Sequence, residues 1–338
     1  MMNDASRNEA YQLAIRRAIG NRTNLQVLDL GCGAGLLSMM AARAGAERVT
    51  AVEATPILAE MARAVVKRNG YEKQITVHGK WSLDLEVPRD MPEKADLVIS
   101  EVVNTALIGE GMLKTYNDAL ERLVKPSAVM IPQAGAVEAL LVESPEIERH
   151  TRIDAAAGFD LRDFNLFHPA DYMQASAHSR RNSTQANPLN SILPPPQYDL
   201  RHTDYRPLTD KFRPLVFDFR EAHKVHHPAL SMRRRAWCGF ILVQTLCVSR
   251  QATKRVATLR FQRSGRVVAV AYWFILQLDE EVQISLSPEL GGRPSPHWRQ
   301  AVQYLGGIAE VQAGDVMKLS VEHDMQNIHF KVLSITRG

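Results

Sequence analysis

Three cysteines, Cys32, Cys238 and Cys247, are all that the 338-residue sequence contains. They are too few and too scattered for a disulfide framework or a zinc site, which fits a reducing, cytoplasmic compartment. Long hydrophobic runs are also missing. The longest, Val267 to Leu276, falls short of the about 20 residues a membrane-spanning helix needs and reads as a buried strand, so no membrane association is expected. The opening stretch MMNDASRNEAYQLAIRRAIG sets Tyr11, Ile15, Ala18 and Ile19 at helical spacing without a continuous apolar core. It predicts a helix rather than a secretory leader. Neither sign of charge dominates, since 41 basic and 37 acidic residues leave +4. The one basic cluster, Arg233-Arg234-Arg235, reads as a solvated loop or a strand start, so nucleic acid is not an expected partner. Internal repeats and low-complexity tracts are absent too. What remains, 45% apolar and 23% charged residues, is the make-up of a globular chain whose length suggests two domains.

The first third alternates short apolar runs with helical patterns, as a parallel sheet with crossover helices does. Expected strands are Gln26–Leu30, Arg48–Glu53, Gln74–His78, Ala95–Ser100 and Ala128–Ile131. Expected helices are Leu36–Ala44, Pro56–Asn69 and Gly111–Val124, the second opening on Thr55-Pro56 as cap and first-turn proline. Beyond Ile131-Pro132 the pattern changes to strand-like runs: Ala136–Val142, Trp237–Val248, Arg255–Phe261, Arg266–Leu278 and Gln326–Ile335. Such a series predicts a β-barrel or sandwich. A polar segment from about 151 to 210, with Leu193-Pro194-Pro195-Pro196 inside it, interrupts that series as a loop or protruding arm.

VLDLGCGAGLLS (Val27–Ser38) is the most specific signal in the first domain. Gly31, Gly33 and Gly35 let a strand turn sharply into a helix while the backbone approaches a ligand, and Glu53 ends the next strand, where an acid can bind both ribose hydroxyls. A dinucleotide site is the alternative, but its fingerprint needs glycine or alanine where Leu36 stands. The Gly-x-Gly-x-Gly spacing after Asp29 instead looks like the S-adenosylmethionine loop of class I methyltransferases.

After the fourth expected strand comes SEVVNTALIGEGML, residues 100–113, with Glu101 and Glu110 as its only charges. In a cofactor-bound methyltransferase this segment passes the place where the acceptor atom meets the sulfonium methyl. Two carboxylates there are costly to bury unpaired and imply a cationic partner. A guanidinium fits, because its planar fork offers paired donors to carboxylates. Its charge is then drawn toward the clamped nitrogens, leaving the third more nucleophilic, and positioning carries the reaction without a metal.

This stretch resembles the double-glutamate loop of the protein arginine N-methyltransferases, and Thr105-Ala106-Leu107-Ile108-Gly109-Glu110-Gly111 is most similar to their monomethylating branch. Gly35-Leu36-Leu37-Ser38-Met39-Met40-Ala41, Ala44-Gly45-Ala46 and Tyr272-Trp273-Phe274 extend the similarity over nearly the whole chain. Ser295-Pro296-His297-Trp298 is similar to the family's Thr-His-Trp loop, with proline replacing threonine. Met2-Asn3-Asp4-Ala5-Ser6-Arg7 is similar to its cofactor-binding first helix.

The resemblance implies an α/β class I methyltransferase Rossmann-like domain (1–132), then a β-barrel domain (133–338) with an inserted dimerisation arm at about 151–200. It implies S-adenosyl-L-methionine as cofactor, an arginine-containing protein or peptide as substrate, and a homodimer. Glu101 and Glu110 would clamp the guanidinium, and Asp4 and His297 would form a proton-accepting dyad. Arg7 would bind the cofactor carboxylate, Ser82 would lie near the adenine, and Asp29, Gly31, Gly33 and Glu53 would complete the cofactor site. Asn104 and Ala106 stand where that branch has acids, which puts a preference for arginines flanked by basic residues in question. The family's Tyr-Phe-x-x-Tyr helix has no counterpart, pointing to a shorter cofactor lid or one supplied by a second subunit. The branch carries two catalytic modules and this chain one, so self-pairing is expected, with Gly158-Phe159-Asp160 and Phe164-Asn165 in the candidate arm. A small guanidino acceptor and a catalytically silent, cofactor-binding scaffold are the competing functions.

Overall fold

The computed structural model describes residues 2–150, 153–163, 195–220, 253–289 and 297–338. The chain opens on helix α1 (Ala5–Ile19), whose first N–H groups are capped by Asp4 and which buries Tyr11, Ala14, Ile15 and Ile19. Then follow β1 (Gln26–Leu30), α2 (Leu36–Arg43), β2 (Arg48–Glu53), α3 (Pro56–Arg68) and β3 (Ile75–Gly79). A single 3-10 turn, Ser82–Asp84, precedes β4 (Ala95–Ser100). After it, α4 (Met112–Asp118) widens into a π turn over Ala119–Leu123 and feeds β5 (Val124–Ile131).

The five strands form one parallel sheet in the order β3-β2-β1-β4-β5. Burial on both faces explains why QVLDL of β1 is buried at every position, aspartate included. The order reverses beside β1. Its C-terminal end, next to those of β2 and β4, is therefore the crevice where ligands of open α/β sheets bind.

The chain then becomes antiparallel. β6 (Ala134–Glu143) and α5 (Pro145–Arg149) lead to a small hairpin, β7 (Ala155–Ala156) and β8 (Phe159–Asp160), then to β9 (Gln197–Tyr198), β10 (Arg206–Pro207) and β11 (Phe212–Asp218). β12 (Thr253–Arg260), β13 (Gly265–Gln277), β14 (Gln283–Ser285), β15 (Gln300–Val311), β16 (Val316–His323) and β17 (Ile328–Thr336) complete it. One sheet runs β10-β6-β13-β15-β9 with β11 and β14 at its flanks, and a second runs β12-β16-β17. The continuous apolar run of β13 is explained by its place between β6 and β15, where Trp273 and Phe274 are among the largest fully buried side chains.

This is a parallel Rossmann-like sheet followed by an antiparallel half-barrel. Strands β7, β8, β9, β10, β11, β14, β15 and β16 come in addition to those expected. The expected strand Trp237–Val248, the Arg233-Arg234-Arg235 cluster and Phe164-Asn165 of the arm lie outside the described residues. Helix α1 ties the two parts together: Tyr11 donates its hydroxyl proton to Ser100 O at the end of β4 (2.9 Å), while Arg17 pairs with Asp279 (3.0 Å) and Glu281 (2.6 Å) of the β13–β14 turn. Among the described residues no helix is long and apolar enough to cross a membrane.

Candidate active site

The glycine loop starts where β1 stops. Gly31 has φ +75°, and a Cβ there would meet Val102 Cγ1 at 2.6 Å, so the loop lies against the segment leaving β4 at a distance only glycine allows. Gly33 N–H donates to Glu53 Oε2 (3.0 Å) and Thr55 N–H to Oε1 (2.9 Å). Both oxygens of the acid at the end of β2 are thus aimed by the backbone. A side chain at Gly33 would meet nothing within 4 Å, so the space above the loop is open.

Asp29 lies within β1, two residues before Gly31. It is fully buried and accepts the Ser38 hydroxyl proton, which pins α2 to β1 from beneath the loop. Burial pushes its carboxyl up to about 7, against the Ser38 hydrogen bonds that lower it. Its reach toward a ligand is through the loop it shapes.

The double-glutamate segment begins at Ser100, whose hydroxyl donates to Leu30 O (2.9 Å). Glu101 follows directly. Its Oε1 lies 3.3 Å from Arg7 Nη1, one helical turn before Tyr11 on α1. The Arg7 guanidinium stacks 4.4 Å from the centroid of Trp298, an attraction between cation and ring face. Trp298 donates its indole N–H to Val103 O (3.2 Å) and meets Phe274 edge-on at 5.1 Å. Residues from the first helix, the loop after β4 and the half-barrel therefore converge on one guanidinium.

Burial raises Glu101 to about 7; Arg7 opposes that shift and Glu110 adds to it. Glu110 is raised for the same reason, burial first, with Arg7 again opposing. Arg7 thus acts electrostatically on both carboxylates and bonds directly to Glu101. Asp4 is buried and accepts from Arg7 N–H (3.2 Å) and from the Ser6 hydroxyl (3.0 Å), with its other oxygen 3.8 Å from Arg7 Nε. His297 is exposed beside the buried Trp298; Ser295 and Pro296 of the same motif lie outside the described residues. Ser82, half-buried, opens the 3-10 turn beyond β3. β3 itself lies three strands from β4 in the sheet order.

One organiser of the double-glutamate loop carries no charge. Asn104 Oδ1 accepts from Ala106 N–H (3.0 Å) and Gly109 N–H (3.1 Å), and a Cβ at Gly109 would sit 1.8 Å from Asn104 Nδ2. Leu107, fully buried at the top of the bend, is held at φ +73°, a conformation that persists only where surrounding contacts impose it. Asn104 thus folds the loop that sets the separation of the glutamates. The only signal in the sequence was an asparagine five residues before a glycine.

The residues present fit S-adenosyl-L-methionine. Glu53 offers paired acceptors to a ribose and the open loop at Gly33 admits a ligand. Arg7 Nε and Nη2, although buried, have no hydrogen-bond partner among the described residues, which suits a carboxylate. A parallel sheet in this order, a glycine loop over an acid, and a loop after β4 facing a cation define an S-adenosyl-L-methionine-dependent methyltransferase.

Comparison with known proteins narrows the class. Residues 13–135 match the family described as ribosomal protein L11 methyltransferase (PrmA), and residues 219–336 match the arginine methyltransferase oligomerization subdomain. The chain is 30% identical to the arginine N(omega)-methyltransferase of Streptomyces achromogenes subsp. streptozoticus, covering 94% of this chain and 73% of that one. It is 30% identical to protein arginine N-methyltransferase 7 of Drosophila ananassae, covering 98% of this chain and 46% of the relative, so it spans about half that protein's length. Among solved structures, the Trypanosoma brucei PRMT1 enzyme-prozyme heterotetrameric complex with AdoHcy shares the fold, with TM-score 0.67 and 23% identity over 99% of this chain and 92% of that one. The chain belongs to the arginine N-methyltransferase family.

Proposed function

We propose that this chain transfers a methyl group to a guanidinium nitrogen of arginine in a protein or peptide, working as a homodimer. The observation that carries the reading is the pair Glu101, half-buried and bonded to Arg7, and Glu110, more exposed on the same loop, with both carboxyls raised and Arg7 opposing the rise in each. Two carboxylates on one loop attract positive charge, and a substrate guanidinium brings it with donors in the right plane. When bound, S-adenosyl-L-methionine supplies an electrophilic sulfonium methyl. Glu101 and Glu110 would hold two guanidinium nitrogens and leave the lone pair of the third to form the new N–C bond, as the methyl's bond to sulfur breaks and the cofactor leaves as a neutral thioether. The proton lost from that nitrogen passes to the Asp4 and His297 pair. Arg7 Nε and Nη2 hold the cofactor carboxylate, Glu53 the ribose, and Gly31 and Gly33 the backbone approach, with Asp29 supporting the loop and Ser82 near the adenine.

We take residues 1–132 as the cofactor-binding domain, 133–338 as the substrate domain and about 151–200 as its arm. The match to the oligomerization subdomain supports self-association, and Phe159 on the arm hairpin is 71% exposed, as a residue meant for a second copy would be. The cytoplasmic location rests on cysteine usage alone.

A second reading has its own support. The Streptomyces relative, which the chain covers over 73% of its length, is named for methylating arginine, not protein arginine, so a free guanidino compound is the alternative acceptor. Incubation with labelled cofactor and either arginine-rich peptides or free arginine, with the products identified by mass, separates the two. Label in peptide alone supports the protein substrate, label in free arginine alone supports the alternative, and label in neither overturns both.

A further inference from the structure

The cofactor reading fixes the direction in which its base must lie. Glu101 marks the methyl end at β4 and Glu53 the ribose at β2, so the sheet order places the base beyond β2, over the end of β3 and the loop from 80 to 91. That loop has little regular structure of its own beyond the turn Ser82–Asp84. Asp90 closes its base, accepting from Lys80 Nζ (2.8 Å) and Glu86 N–H (2.8 Å).

The part between, which carries Ser82, is held from outside by Arg122. Its Nη2 donates to Leu83 O (3.0 Å) and its Nη1 to Leu85 O (2.9 Å). Its Nε and Nη2 also grip Asp118 in a two-point pair, both at 2.7 Å. Four bonds from one planar group lock two carbonyls to one helix, a task for which lysine has the wrong geometry. Arg122 side-chain exposure is 36%, so the ion pair by itself adds little to stability. Arg122 sits in the π turn that continues α4, and α4 starts directly after Glu110-Gly111. One rod therefore carries a jaw of the guanidinium clamp at one end and the anchor of the base-side loop at the other.

We propose that Arg122 is a positioning residue for the cofactor, holding the loop around Ser82 in the shape that recognises adenine and fixing it to the helix that follows Glu110. The inference rests on the methyltransferase reading of this crevice. Calorimetry on the full chain with S-adenosyl-L-homocysteine and its inosine counterpart tests it. Arg122→Gln weakens the adenine form about tenfold, the size of a lost charge-assisted hydrogen bond, and leaves the inosine form nearly unchanged, so the preference between the bases collapses. Arg122→Lys fails to restore it, and kcat at saturating cofactor stays within about twofold.

A folded Arg122→Gln that keeps the wild-type preference overturns the inference, as does full rescue by Arg122→Lys, while both outcomes leave the methyltransferase reading standing. Should Arg122→Gln not fold, Asp118→Asn, which loosens the guanidinium without removing its donors, decides by the same ratio. Wild-type protein that binds neither nucleoside overturns the cofactor reading and this inference with it.

Discussion

Arg7 and Glu101, 94 residues apart in sequence, meet at 3.3 Å where the first helix crosses the end of β4. The clamp therefore has a resident cation of its own. Arg7 uses one nitrogen for Glu101 and leaves two buried donors pointing elsewhere. It opposes the burial that raises Glu101, and on the proposed reading its two remaining donors would hold the cofactor carboxylate.

The two glutamates are expected to differ when neutralised. Glu101→Gln and Glu110→Gln each lower methyl transfer about 100-fold or more, the scale of losing one electrostatic contact in the transition state, while calorimetric cofactor affinity survives. Only Glu101→Gln replaces the charge bonded to Arg7, and its amide oxygen can still accept from Arg7 Nη1. Full activity in either variant contradicts the clamp.

Replacing Arg7 by alanine acts on the cofactor first. Its orphan donors are buried, and loss of a charge-assisted contact weakens cofactor binding by about tenfold or more. Arg7→Lys restores only part of this, since a lysine cannot face Glu101 and a second carboxylate together. An unchanged calorimetric affinity in Arg7→Ala removes Arg7 from the cofactor site.

Acid should silence the enzyme through Glu101. With its carboxyl at about 7 rather than 4.5, kcat/KM falls as pH drops below about 7, because a protonated jaw no longer attracts a guanidinium. Arg7→Met moves that limb to higher pH. Stability runs the other way. Asp29 and Glu101 bind protons more tightly in the folded chain, so their contribution is full below the unfolded values of 3.8 and 4.5 and is lost as pH rises through about 7. Asp29→Asn therefore gives a flatter plot of melting temperature against pH in that window.

Most of the parallel sheet was legible because each strand is a short apolar run bounded by turn residues. Gln26–Leu30, Arg48–Glu53 and Ala95–Ser100 are found with the expected limits, and the third strand is shifted by one residue to Ile75–Gly79. The helix expected to run to Val124 becomes a π turn from Ala119, since side-chain periodicity does not report which carbonyl each N–H finds. Strands β15 and β16 were not read; Gly306-Gly307 breaks the apolar pattern of the first. Within the site, Glu101, Glu110 and Glu53 stood out by charge in apolar surroundings. The contacts of Arg7 with Glu101 and of Trp298 with Val103 did not, for they join segments 94 and 195 residues apart. Tertiary packing alone decides such pairs.

Asn104 offers a test of loop shape apart from charge. Asn104→Asp keeps an oxygen for Ala106 N–H and Gly109 N–H and should retain most activity. Asn104→Ala leaves both donors without it and destabilises by about 1–3 kcal/mol, with a matching fall in kcat as the glutamates lose their spacing. Gly109→Ala, whose new methyl would meet the Asn104 side chain at 1.8 Å, should behave like Asn104→Ala. Steady-state kinetics and thermal melts of the three variants check the pattern.

Self-association should be separable from chemistry at Phe159. The β7–β8 hairpin turns through Ala157 (φ 52°) and Gly158 (φ 85°) and presents Phe159 to solvent. Ile57, Leu58 and Met61 expose a second apolar face on α3. Exposed apolar surface of this size favours burial against another copy, at roughly 25 cal/mol for each Å² removed from water. Phe159→Asp places a charge in that contact and is expected to shift the chain from dimer to monomer in light scattering, while the melting temperature of the monomer stays close to that of wild type diluted below its association constant. Activity that falls on dilution of the wild type, and is low at all concentrations in Phe159→Asp, would tie the catalytic site to pairing. A wild type that is monomeric at every concentration rules the homodimer out.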